Sequence, residues 1–333
     1  MSKTTGIGTT LEHRIGPRGR FSLRQASGDI LIRGVEGDTV RVKSLDDKPL
    51  SSIFDIELGD DRVDVHQHGG FDIGMRLFSR GSGADLRIEV PHGATVSVET
   101  GSADIDASDL SGSKSFRSAS GEVTLNRLAG AVEVETVSGE IEVDGSAPLD
   151  MALKSVSGDV SVRVPSARRL DLGTTSGDIR LDAELAGNGP FAIRSISGDA
   201  TIVARMGFRV EAESITGDLS SDLPSKRESL PGRKVLVVGR PGPTLGFRSV
   251  SGDLHIAEPR DAAPAITTRT TEEAMDDKPV VDDKPVTEDK QTHTVEATGD
   301  EDRRLEILRS LERGDITVAE ATDQLSQLDE VLR

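Results

Sequence analysis

Apolar residues recur along the middle of this chain with period two, and the runs are broken by a repeated tripeptide. Ser27-Gly28-Asp29, Ser120-Gly121-Glu122, Ser138-Gly139-Glu140, Ser157-Gly158-Asp159, Ser176-Gly177-Asp178, Ser197-Gly198-Asp199, Thr216-Gly217-Asp218 and Ser251-Gly252-Asp253 share one pattern. Ser102-Ala103-Asp104 fits it with alanine in the glycine place. From 103 to 252 the central positions lie 18, 18, 19, 19, 21, 19 and 35 residues apart. Two places after each centre stand Ile105, Val123, Ile141, Val160, Ile179, Ala200, Leu219 and Leu254. Four places after it stand Ala107, Leu125, Val143, Val162, Leu181, Ile202 and Ile256, with Ser221 the exception. Polar residues fill the places between. This alternation predicts half-buried strands of about five residues.

The tripeptide predicts a corner. Glycine takes the positive φ of a tight turn without steric cost, which makes Gly28, Gly121, Gly139, Gly158, Gly177, Gly198, Gly217 and Gly252 the structural turn residues. Serine and aspartate bond nearby backbone groups with short side chains. A strand, a corner, a second strand and a return loop make a coil of about 19 residues, and such coils bury their apolar faces only by stacking. The expected fold is all-β, a parallel β-solenoid (β-helix), with a small C-terminal α-helical hairpin. Right-handed crossovers are the general rule, and the hexapeptide pattern of left-handed solenoids is missing. A β-propeller could use two such units per blade, but Trp-rich blade signatures are absent, and an antiparallel sandwich would not keep equivalent residues in columns.

Four regions follow. Residues 1–95 hold one clear tripeptide and looser alternation, read as degenerate coils and an N-terminal cap. Within them, the Gly-rich stretch 69–83 reads as a loop. Residues 96–257 are the regular solenoid. The 35-residue gap between Gly217 and Gly252 reads as a coil that lost its tripeptide and gained an insertion. Residues 258–300 carry 12 acidic and 5 basic residues and no apolar period, the composition of a solvated linker. In 301–333, Leu305, Leu308 and Leu311 precede Gly314, and Thr317 to Glu320 forms a capping box before Leu325, Leu328 and Leu332. Two short helices are predicted. Their leucines exceed what a two-helix hairpin can hide, so they are the candidate partner-binding residues.

Composition narrows the function classes. Among 333 residues, 58 acidic groups against 40 basic ones leave a formal charge of -18, the wrong sign for a phosphate binder. Aromatics are 2 %, with no Trp or Tyr, which removes stacking platforms for single-stranded nucleic acid. No Cys is present, so disulfides and thiolate metal sites are excluded. No apolar run is long enough to span a membrane, and the N-terminus lacks the apolar core of a signal peptide. The expected location is cytoplasmic, or peripheral to the cell envelope.

The candidate chemistry is sparse. Asp104, Glu122, Glu140, Asp159, Asp178, Asp199, Asp218 and Asp253 form an acidic column. Carboxylate pairs cleave glycosidic bonds and oxygen ligands hold calcium. A catalytic pair is needed once, however, and these acids recur in every coil, so each is expected to support its own corner. His66 and His68 share a strand face but lack a third ligand. Ser155, Ser195, Ser214 and Ser249 form a column without a histidine at fixed spacing, read as a hydrogen-bonded ladder. No cofactor, metal or catalytic residue is assigned.

The segments SVSGDVSVRV, TTSGDIRL and SISGDATI, with the opening FSLRQASGDILIRGVEGDTVRV, resemble the bacterial putative-adhesin family of β-solenoid domains over about residues 10–257. The tail LEILRSLERGDITVAEATDQL is similar to SHOCT-like helical hairpins. The resemblance implies a solenoid of unassigned function and a hairpin for oligomerisation or partner docking, often at the cell envelope. The expected role is a non-enzymatic scaffold or binding module that engages a protein partner or itself through the hairpin. Two other readings are a polysaccharide-acting enzyme using the acidic face and a bactofilin-like polymer.

Overall fold

The computed structural model describes residues 8–68, 83–187, 189–230, 233–240 and 242–259. The loop reading at 69–82, most of the linker and the hairpin with Leu305, Leu308, Leu311, Leu325, Leu328 and Leu332 lie outside the described residues.

Twenty-two strands make up nearly all of the rest. The first ten are β1 (Thr10–Arg14), β2 (Arg20–Ser27), β3 (Ile30–Val35), β4 (Thr39–Ser44), β5 (Phe54–Leu58), β6 (Arg62–Gln67), β7 (Leu86–Pro91), β8 (Thr95–Ser102), β9 (Ile105–Ser108) and β10 (Lys114–Ser120). Three long bent strands follow, β11 (Val123–Ser138), β12 (Ile141–Ser157) and β13 (Val160–Ser176). The last are β14 (Ile179–Leu185), β15 (Phe191–Ser197), β16 (Ala200–Val203), β17 (Phe208–Ser214), β18 (Leu219–Ser221), β19 (Ser225–Leu230), β20 (Arg233–Val238), β21 (Thr244–Ser249) and β22 (Leu254–Ala257). The single turn Leu50–Ser52 is the helical element among the described residues.

The fold is all-β, and most neighbours in the stack run parallel, as a β-solenoid requires. Equivalent residues pair from layer to layer: Val123 with Ile141, Ile141 with Val160, Val160 with Ile179, Ile179 with Ala200. Strands on the two sides of each corner turn alternate residues inward, so Leu125, Val143, Leu153, Val162, Leu172 and Leu181 are fully or almost fully buried. Burying each such side chain contributes about 1.5–3 kcal/mol, and no single coil could collect that energy without a neighbour on each side.

The layers are not stacked in chain order. On the side before the corner, β2 lies between β6 and β8, and β21 lies between β15 and β17. On the side after it, β3 lies between β7 and β9, and β22 lies between β16 and β18. The chain therefore doubles back at both ends and slots a coil into the stack one layer from its end. The gap 217–252 holds no degenerate coil. It forms the antiparallel hairpin β19–β20, and β20 pairs antiparallel with β17. At the other end β5 pairs antiparallel with β6, and β1 with β4. These outer strands put charged side chains on open edges, as in the Lys226–Glu228 pair at 3.0 Å on β19, which discourages edge-to-edge pairing.

Candidate functional site

Each corner lies against the corner of the next layer. Gly158 has φ 145°, and a Cβ built on it would stand 2.2 Å from the carbonyl oxygen of Gly139. Gly28, Gly121, Gly139, Gly177, Gly198 and Gly252 also take positive φ. Gly217 does not; its place is kept small by the Gly252 carbonyl oxygen, 1.9 Å from where its Cβ would be.

Five of the eight acids of the column reach across to the neighbouring layer instead of serving their own corners. The Asp159 carboxylate accepts from the Asp178 backbone N–H at 2.8 Å, Asp178 from Asp199, Asp199 from Asp253 and Asp253 from Asp218, each also at 2.8 Å. Asp104 accepts in the same way from Glu122 at 2.9 Å. The corner turns this amide away from the neighbouring carbonyls, and an aspartate one layer off supplies the acceptor. These five carboxylates thus act as inter-layer caps, while Glu122 accepts from the Thr124 hydroxyl, two residues along the chain, at 3.0 Å.

The serine column is also different from a hydrogen-bonded ladder. Ser195 donates to the Gly198 carbonyl at 3.3 Å, and Ser214 accepts from Gly217 N–H at 2.9 Å. The hydroxyls of Ser155 and Ser249, and those of Thr136 and Thr174 in the same column, are buried without a partner among the described residues. Layers about 4.8 Å apart hold stacked hydroxyls beyond the roughly 2.7–2.8 Å of an O–H···O bond.

Outside this column lies a groove of about 620 Å³ that crosses six layers, β8, β10 to β13 and β15. Its floor is the backbone around Ser118, Thr136, Ser155, Thr174 and Ser195. One wall consists of Ala119, Val137, Val156, Thr175 and Ile196, and the other of Arg117, Glu135, Lys154, Gly173 and Arg194. Val137, Val156 and Ile196 are 56 %, 48 % and 52 % exposed. Both walls come from one strand face, because residues two apart on a strand point the same way.

The charged wall is internally paired. Arg117 lies 3.0 Å from Glu135 and 3.7 Å from Glu99, and Lys154 lies 3.4 Å from Glu135. The Arg117 guanidinium, hydrogen-bonded to Glu135, holds that carboxyl below its usual range. Among the described residues no group of three or more His, Asp or Glu is arranged to hold a metal ion.

A model of the Toastrack DUF4097 family matches residues 59–257, more than half of the 333 residues. The chain belongs to this family. No curated protein sequence matches it. Among solved structures, it is similar to a putative cell adhesion protein of Clostridium sporogenes ATCC 15579, with 10% identity and a TM-score of 0.27 over 78% of this chain and 100% of that one. A putative adhesin of Bacteroides fragilis NCTC 9343 matches with 12% identity and a TM-score of 0.39 over 75% and 96%. A putative lipid binding protein of Parabacteroides distasonis ATCC 8503 matches with 11% identity and a TM-score of 0.39 over 76% and 98%. At these scores the similarities say nothing about ligand or activity.

The Toastrack match begins at residue 59, yet the coil β2–β3 sits between layers inside it. The coil is therefore part of the same stacked body. The Toastrack stack also holds three features that periodicity did not reveal. Ser220 Oγ lies 3.0 Å from His255 Nδ1, and His255 Nε2 lies 3.2 Å from Asp222. These residues meet only because β22 slots beside β18. The imidazole and carboxylate are 39 % and 54 % exposed, so water reaches them freely, and the group ties two layers together. His68 lies 3.1 Å from Asp55 on β5, and His66 stands in register with Arg24 on β2.

The third feature is Lys114, which occupies an interior position between Val96 and Val132 in the Toastrack stack. Its ammonium donates to the carbonyls of Leu110, at 3.2 Å, and Ala129. Burial lowers its pKa from 10.5 to about 8. The folded state then binds fewer protons than the unfolded state between those values, so stability rises with pH from about 8 to about 10.5. Urea midpoints measured across this range should show a rise of about 1–3 kcal/mol that Lys114→Met removes. An identical pH profile in the variant would mean that the ammonium is not buried.

Proposed function

We propose that this chain is a non-enzymatic binding module, with the solenoid as its recognition surface and the C-terminal segment as its means of assembly. The observation that carries the reading is the apolar row Val137, Val156, Ile196, Val250 and Ile215, exposed along neighbouring layers. Apolar rows of this kind on a soluble domain mark contact surfaces. Five of the eight acids in the column that a polysaccharide-cleaving enzyme would use are engaged as inter-layer caps, which favours binding over catalysis. The antiparallel strands at the two ends favour a closed unit over a bactofilin-like polymer.

The leucines at 305, 308, 311, 325, 328 and 332 recruit a protein partner or a second copy, at a cytoplasmic site or one peripheral to the cell envelope. Light scattering of the full chain and of a Leu308→Glu, Leu325→Glu variant tests this. The expected result is a lower mass, or loss of a co-purifying partner, in the variant. Equal masses and equal partners would overturn the assembly role.

A further inference from the structure

The exposed apolar row runs along the stack, across the strands rather than with them. From Val137 on β11 to Ile215 on β17 it crosses six layers, about 24 Å at roughly 4.8 Å for each step. The backbone beneath its centre is paired on both sides within the stack, so a partner is held here by side chains and not as an added strand.

The two flanks of the row differ in charge. On the groove side the charges are closed within the chain, Lys154 on Glu135 and Arg194 on Asp171. On the corner side an exposed acid follows each apolar residue three places on: Glu140 after Val137, Asp159 after Val156 and Asp199 after Ile196. The second carboxylate oxygen of Asp159 and of Asp199 has no partner among the described residues. The column extends beyond the row to Asp85, whose carboxylate accepts from the Asp29 amide at 2.9 Å. Among the described residues, Asp218 is the one acid of this column in an ion pair, with Lys234 at 3.8 Å.

We infer that the row docks an amphipathic helix of a partner protein, apolar where it meets Val156 and Ile196 and basic on the flank beside the acids. The inference rests on the row being a contact surface. A helix of about 10–12 Å diameter laid on the row carries Lys or Arg side chains over Asp159, Asp178 and Asp199. About 16 residues, at roughly 1.5 Å each, span the row.

Other occupants match less well. A helix repeats its stripe once per turn, about 5.4 Å, and slips against the layers by about 3 Å over the row. An extended peptide repeats at roughly 6.7 Å and slips by about 10 Å, two whole layers. A second copy keeps step with the layers, but it brings its own acidic column and a formal charge of -18 against the first.

Isothermal titration of the full chain with a Leu/Lys amphipathic peptide of about 16 residues tests the proposal. A scrambled peptide of the same composition and a Leu/Glu peptide of the same pattern serve as controls. The Leu/Lys peptide should bind at one per chain, with both controls about 30-fold weaker. A Val156→Ser, Ile196→Ser variant, changed only at exposed side chains, should weaken it about 10-fold. An Asp159→Asn, Asp199→Asn variant keeps an oxygen for the next layer's amides. It should also weaken the peptide about 10-fold and reduce the loss of affinity on adding salt. Undetectable binding, equal binding of either control, or full affinity in both variants would overturn the inference. Undetectable binding together with a full-chain mass that falls in the Val156→Ser, Ile196→Ser variant would replace the helix by a second copy and keep the row as a contact surface. Undetectable binding with an unchanged mass would count against both readings.

Discussion

Gly158→Val is expected to lower stability by about 2–6 kcal/mol, a large share of the roughly 5–15 kcal/mol that holds a domain folded. Two effects add. The native φ of 145° is one that L side chains rarely adopt, and holding a residue in such a region costs about 1–3 kcal/mol. The new Cβ would also press on the Gly139 carbonyl, 2.2 Å from its oxygen and 2.7 Å from its carbon. That obstacle is backbone, fixed by the stack on both sides, so relief requires the layers to separate, and overpacking of this kind costs about 1–3 kcal/mol more. Thermal and urea unfolding of the variant read the effect directly. Gly173→Ala is the matched control: its backbone lies outside the left-handed region and its Cβ has space, so its melting temperature should stay at or slightly above that of the parent. If Gly158→Val melts with the parent, the corners are not where the glycine column puts them.

Phe247→Ala is expected to cost about 3–5 kcal/mol, the usual price of emptying a buried aromatic site. Phe247 is 1 % exposed on β21, the layer slotted between β15 and β17. Stacking in chain order would place Ile193 of β15 beside β17. The observed register instead places Ile193 opposite Phe247, and Phe247 opposite Ala212. A double-mutant cycle of Ile193→Ala with Phe247→Ala separates these arrangements. Contacting residues show coupling of about 0.5–3 kcal/mol, whereas distant ones add within about 0.3–0.5 kcal/mol. Additivity would refute the slotted arrangement.

The groove illustrates how partial a sequence pattern is. Val137, Val156 and Ile196 were visible as apolar residues just before Ser-Gly, but period-two reasoning assigns them no exposure, because the corner begins there and the alternation stops. Gly173 looks unremarkable in the chain. It leaves an opening in the charged wall only because Lys154 and Arg194 stand in register on either side of it. Lys114 was unreadable for a similar reason: it sits at an interior register position, where only the carbonyls of Leu110 and Ala129 make an ammonium tolerable.

By itself the sequence determined the strands, their buried faces and the corners, from Gly28 through Gly252. These are local properties: alternation sets which face is apolar, and a positive φ at a tight turn selects glycine whatever the rest of the chain does. Only the tertiary structure decided the order of the layers, the hairpin β19–β20, the aspartates reaching across to the next amide, and the meeting of Ser220, His255 and Asp222. Every layer offers the same ladder and the same apolar column, so a coil fits almost equally well in several places. The choice among them rests on end strands, loop reach and side-chain fit between residues far apart in the chain, and a repeat that treats all its copies alike carries no record of it.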